Sequence, residues 1–174
     1  YGAATSSSGP VDISTGSAIE YAGDIDAVAG NGGMSGGSIR VRAGDTLVDP
    51  ESGGGIVRVE AGEGAFGGDV HVAAGLGRTQ SGGDVVVTAG AGTFDGGKLI
   101  MNAGESATTS GGAVGITAGS GLLSGGDASI AAGSSTTGAG GNVDISSGAG
   151  QLSSGSVSMS SATIASGPSG SVSI

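Results

Sequence analysis

The chain has 174 residues, no cysteine, and 15 acidic against 5 basic residues, which gives a net charge of −10. This charge argues against binding to nucleic acid or to an anionic membrane, because both depend on clustered Lys and Arg. No run approaches 18 apolar residues, so we expect no membrane insertion. The missing cysteines exclude disulfides, thiol catalysis and thiolate metal sites.

A short repeat runs along the chain. Each unit contains a glycine, a spacer, two apolar residues separated by one residue, a small residue and a second glycine, as in residues 83–90, Gly-Asp-Val-Val-Val-Thr-Ala-Gly. The first apolar position recurs in steps of 13 to 18 residues, mostly 14 or 15, at Val11, Ile25, Ile39, Val57, Val70, Val85, Leu99, Val114, Ala128, Val143, Val157 and Val172. So short and even a period indicates a solenoid, whereas a helix would show a period of 3.6.

The repeat predicts an all-β fold, a parallel β-solenoid of about twelve coils of 14–15 residues, with residues 1–174 as a single domain. Side chains alternate along a strand, so both apolar positions are expected to face inward. Glycine is expected at the corners, where positive φ turns the chain. A third inward position is expected from the larger apolar residues of the other half-coil, Phe66, Phe94, Leu123, Leu152 and Ile164.

An irregular insertion at residues 45–53 lengthens one step to 18 residues. Insertions in solenoids become surface loops, often on a binding face. The basic residues concentrate on predicted outward positions beside it. We name Arg40, Arg42, Arg58 and His71 as candidate partner contacts. Two interpretations stay open: a local Arg42–Glu60 ion pair beside a tolerated insertion, or a contact patch for a partner subunit or a glycan.

Features that suggest chemistry are few. Residues 33–37 match G-x-S-x-G but lack the strand-to-helix context of a nucleophile, and His71 is the only histidine, so we expect no enzyme. Asp69 and Asp84 share the spacer position, and a calcium ion would relieve their repulsion one coil apart. Lys98 interrupts that column, and the nonapeptide of calcium-binding solenoids is absent. We therefore expect no cofactor and keep calcium as an alternative.

The sequence ends with Ile174 in an apolar position of the repeat. In a solenoid this would leave an unpaired strand edge. We expect that edge to meet either continuing coils or the first coil of another copy, and head-to-tail contact of that kind builds a filament. Ile174 is therefore a further candidate partner contact.

Residues 81–90 and 140–148 resemble the Gly/Ser-rich short repeats of large secreted or cell-surface proteins of diatoms and oomycetes. The resemblance extends over nearly the whole chain as a style of repeat rather than one specific motif. It implies an extracellular or cell-surface location and a structural or adhesive role. It supplies no catalytic residues to carry over.

These observations predict a non-enzymatic extracellular structural protein, a rigid β-solenoid rod that self-associates in a filament, an appendage or a cell-surface coat. The alternative is a β-solenoid that binds ice or a polysaccharide. The outward residues from Val86 to Ala131 are uncharged and regular, which favours that alternative. No Thr-x-Thr rank is found there, which argues against it.

Overall fold

The computed structural model describes residues 8–47, 52–162 and 167–173, and over these ranges the chain forms no helix and no strand. The predicted parallel β-solenoid is therefore wrong. The described backbone is irregular, with bends at regular intervals. Residues 48–51 of the insertion, Ile164 and Ile174 lie outside the described residues.

The chain divides into two units, Tyr1–Val87 and Thr88–Ile174. The same local pattern, described below, repeats within each of them. The single domain over residues 1–174 stays a prediction.

The backbone hydrogen bonds of the described residues are not those of a solenoid. A solenoid needs rows of N–H···O=C bonds between neighbouring segments. The described residues make nine backbone–backbone hydrogen bonds, and each joins two glycines at the ends of a loop. Folded proteins make roughly one hydrogen bond per residue. Most of the described backbone groups are therefore left to water.

Each glycine pair closes one loop, and we call the bond a closure. In the closure of loop 90–97, the N–H of Gly97 donates to the carbonyl oxygen of Gly90 at 2.8 Å. The N···O distances of all nine closures lie between 2.8 and 3.0 Å. The closure loops are 30–37, 44–55, 62–68, 75–83, 90–97, 104–112, 119–126, 133–141 and 148–155.

Between closures run stretches that we call apolar segments, for example 83–90 and 97–104. Every apolar segment bounded by two closures has its end glycines seven positions apart. The closure loops vary instead, with their glycines 6, 7, 8 or 11 positions apart. The uneven steps of the repeat therefore arise in the loops. The longest loop, 44–55, encloses the insertion at 45–53.

No described residue is buried, so these residues have no hydrophobic core. At the first apolar position the exposed fraction runs from 48% at Val172 to 58% at Leu99, with Val11 higher at 88%. At the second it runs from 60% at Met159 to 78% at Ile13. The predicted third inward position is wrong wherever it is described. The residues concerned are exposed by 95% or more: Phe66, Phe94, Leu123 and Leu152.

The glycines differ from the expectation as well. Among the described residues only Gly167 has a positive φ, of 116°. The predicted corners with positive φ are therefore wrong for the rest of the described chain. The closures show that these glycines serve the close approach of two backbones, which is the other property that a missing Cβ provides.

Candidate functional site

The closure of loop 90–97 depends on the absence of a side chain at Gly97. A Cβ on Gly97 would lie 3.2 Å from both the nitrogen and the oxygen of Gly90 and 3.4 Å from the Cβ of Ala89. These three contacts are tighter than most Cβ contacts, so an added methyl group would require the backbone of Gly90 to shift by a few tenths of an ångström. Glycine at this position allows the short hydrogen bond.

The residue before each acceptor glycine is small, alanine in eight closures and Ser147 in loop 148–155, and it lies against the donor glycine. A Cβ on the donor would lie 3.1 Å from the Cβ of Ala29 in loop 30–37 and 3.9 Å from that of Ala118 in loop 119–126. These alanines are among the least exposed of the described residues. The partly buried ones are Ala29, Ala43, Ala89, Ala103 and Ala118. The small position that the repeat conserves internally is thus a loop contact.

The seven-position loops share a second glycine, two residues after the acceptor. In loop 90–97 this is Gly92, and a Cβ there would overlap the carbonyl oxygen of Asp95. The obstacle is backbone, so no side-chain rotation removes it. The same overlap recurs between Gly32 and Ser35, Gly121 and Ser124, and Gly150 and Ser153.

Two of the eight-position loops have serine in place of that glycine, and its hydroxyl binds the turn. Ser106 accepts a hydrogen bond from the N–H of Thr109 at 3.0 Å. Ser135 accepts one from the N–H of Gly138 at 2.8 Å. Serine hydroxyls commonly support turns in this way. In these loops a side-chain oxygen stabilises the turn. In the seven-position loops a glycine at the same position allows close backbone contact instead.

We expect Ser135→Ala to loosen loop 133–141. The substitution removes the acceptor for the N–H of Gly138, and a net hydrogen bond contributes about 1 kcal/mol. The Gly138 amide should exchange with solvent roughly fivefold faster, measured by NMR. The control is Ser134→Ala, which removes a neighbouring hydroxyl that makes no hydrogen bond to the described residues. Equal exchange in both variants would contradict the role of Ser135.

The structure pairs the candidate contact residues differently from the sequence prediction. The Arg42 guanidinium forms an ion pair with Asp45 instead of Glu60. Glu60 is paired with Arg58, two residues away, with 2.7 Å between Nη2 and Oε1. Both pairs are exposed and local, so each contributes no more than about 1 kcal/mol. The predicted Arg42–Glu60 pair is therefore wrong.

The other candidate contacts do not gather into one site. Arg40 and His71 are exposed and make no ion pair or hydrogen bond with another described residue. Ile174 lies outside the described residues. The insertion is held by a hydrogen bond from the Thr46 hydroxyl to the carbonyl oxygen of Gly53, at 2.8 Å. A contact patch for a partner or a glycan at these residues stays a prediction.

No constellation for metal or acid–base chemistry is found in the described ranges. Within them no three His, Asp or Glu side chains gather as a metal site requires, and no pocket opens. Asp69 and Asp84 are both exposed. Ser35, the serine of the G-x-S-x-G match, belongs to closure loop 30–37, where its carbonyl faces Gly32. Calcium binding stays a prediction.

The predicted ice- or glycan-binding face has no sheet to support it. Its residues, such as Ile100 and Thr117, are exposed and lie on separate apolar segments. No strand in the described parts of the chain holds these segments in a plane. A flat, regular rank is therefore not formed by the backbone, and binding to ice or to a polysaccharide stays a prediction.

What the chain presents is a large accessible surface, of 17,490 Å². A folded monomer of 15.8 kDa exposes roughly 7,300 Å², and a fully unfolded chain of that mass roughly 22,900 Å². The surface thus lies closer to the unfolded value. Much of it is apolar and repeats at the fixed spacing of the apolar segments.

Sequence reasoning missed the closures and the two turn serines. The Ala-Gly and Gly-Gly pairs were visible in the sequence. The sequence does not distinguish a glycine needed for close approach of two backbones from a glycine needed for positive φ at a corner. Ser106 and Ser135 had a clearer signal. Each stands two residues after the acceptor glycine, where the seven-position loops have glycine, and serine hydroxyls commonly hydrogen-bond the backbone in turns.

Comparison with known protein families, curated proteins and solved structures finds no match to this chain. In the described ranges, no helix has the length and apolar character needed to cross a membrane.

Proposed function

We propose that this chain is a non-enzymatic structural protein that self-associates in an extracellular filament, an appendage or a cell-surface coat. One observation carries the proposal: the aliphatic side chains of the repeat remain about half exposed or more, with none of the described residues buried. Burying apolar surface is favourable by about 25 cal/mol per Å². When another molecule covers this exposed apolar surface, the free energy of the system falls.

The regular spacing supports self-association in particular. Two copies present the same series of apolar segments, so several segments can engage together. Linked contacts of this kind reach a high overall affinity even where each contact is weak. The extracellular or cell-surface location is supported by the resemblance of residues 81–90 and 140–148 to repeats of secreted proteins.

The test is sedimentation velocity of the purified chain at about 1 to 100 μM, a range that brackets ordinary weak affinities. We expect the weight-average mass to rise with concentration, and electron microscopy of the same samples to show multimers. A single species of 15.8 kDa over the whole range would contradict the proposal.

A further inference from the structure

We propose that self-association occurs through two charge-free apolar segments of the Thr88–Ile174 unit, which bind the same segments of a second copy. They are 112–119, which lies between two closures, and 155–162, which begins at the donor glycine of the last closure and repeats the same pattern up to Ala162. This inference rests on the proposed function and names the surface that performs it. It starts from the distribution of charge among the apolar segments, which are otherwise alike in length and exposure.

The apolar segments differ strongly in charge. Residues 112–119, Gly-Ala-Val-Gly-Ile-Thr-Ala-Gly, and 155–162, Gly-Ser-Val-Ser-Met-Ser-Ser-Ala, contain no charged residue. Segments of the Tyr1–Val87 unit are charged: Arg40 and Arg42 lie on 37–44, and Asp69 on 68–75. An interface removes water from the two surfaces that meet. An unpaired charge buried there raises the free energy of the complex. The charge-free segments avoid this cost.

The charge of each unit points in the same direction. The Tyr1–Val87 unit has 11 acidic and 4 basic residues, and the Thr88–Ile174 unit has 4 acidic and 1 basic residue. The net charges are therefore −7 and −3. Two copies that meet through the second unit repel each other less at the contact, because exposed charges are screened beyond about 8 Å at physiological salt.

The amount of apolar surface is sufficient for a second copy. Val114 and Ile116 are 55% and 75% exposed, and Val157 and Met159 on the other segment are 50% and 60% exposed. The chain exposes roughly 10,000 Å² more than a folded monomer of its mass. A stable interface needs about 1,600 Å² in total. Covering a small share of the excess is enough.

The partner is a second copy because the two segments keep the same separation in every copy. From Val114 to Val157 there are 43 positions along the chain, so when one segment meets its counterpart the other is held near its own. The second contact then forms at a raised effective concentration. An unrelated partner would match this spacing only by coincidence.

The test compares two double variants of the full chain. Val114→Asp with Ile116→Asp places two charges on segment 112–119, and Val70→Asp with Val72→Asp places the same charges on segment 68–75. The control residues match in exposure, at 55% and 72%. Both variants have a net charge of −12, from −10, so overall repulsion between copies rises equally.

We expect the first variant to raise the concentration at which half of the chain is associated at least tenfold, and the control to raise it less than twofold. None of the four side chains is buried, so neither variant removes a core contact from the monomer. Identical far-UV circular dichroism checks this. A second pair, Val157→Asp with Met159→Asp against Ile39→Asp with Val41→Asp, should repeat the difference.

Each outcome decides between the two proposals. If both members of a pair weaken association equally, or the control weakens it more, the named segments are wrong and self-association stands. If the unsubstituted chain is monomeric throughout, or multimerises only after a polysaccharide is added, both the surface and the proposed function are wrong.

Discussion

Gly92→Ala is expected to open closure loop 90–97. The added Cβ would overlap the carbonyl oxygen of Asp95, a backbone atom that no rotamer change can move away. The loop must then take another path, and the hydrogen bond from Gly97 to Gly90 is lost. The Gly97 amide should lose its protection from solvent exchange, a change of roughly fivefold for a bond of about 1 kcal/mol.

The control is Gly96→Ala in the same loop. A Cβ on Gly96 meets no atom within 4 Å, so this variant makes the same chemical change next to the donor without a collision. Its Gly97 amide should stay protected. If Gly92→Ala leaves the exchange of that amide unchanged, the close approach of Gly92 to Asp95 is not required for the closure. Gly121→Ala and Gly150→Ala should reproduce the effect in their own loops.

The spacing of the structure could be predicted from the sequence, but the pairing of its segments could not. The repeat correctly marks where each apolar segment begins, and the first apolar position is generally less exposed than the second. The step from spacing to solenoid fails because each unit offers only two aliphatic side chains to bury. Ordering some fourteen residues, many of them glycine, costs more than those side chains return.

The ion pairs illustrate a second limit. The predicted partner of Arg42 was Glu60, which becomes a neighbour only if consecutive coils stack. The observed partner, Asp45, is three residues away and needs no long-range order. A local pair closes a shorter stretch of chain and so loses less entropy. Sequence alone could have ranked Asp45 first on this ground.

Added salt is expected to promote association, because the copies repel each other through their net charge of −10. Raising sodium chloride from about 10 mM to about 1 M shortens the screening length from about 30 Å to 3 Å. We expect the concentration of half-association to fall tenfold or more over this range, measured by sedimentation velocity. Sodium sulfate at equal ionic strength should lower it further, because sulfate strengthens apolar burial.

The opposite response would identify a different interface. If salt dissolves the multimers, the copies are held by ion pairs between the basic residues near the insertion and acidic residues of another copy. Arg40→Gln with Arg42→Gln separates the two cases, since it removes two of the five basic residues and leaves every apolar segment its aliphatic side chains. With apolar contacts the variant, at a net charge of −12, associates less at low salt and equals the parent chain at high salt. With ion-pair contacts the variant associates less than the parent chain at low salt. The difference disappears only at a salt concentration that dissociates the parent multimers too.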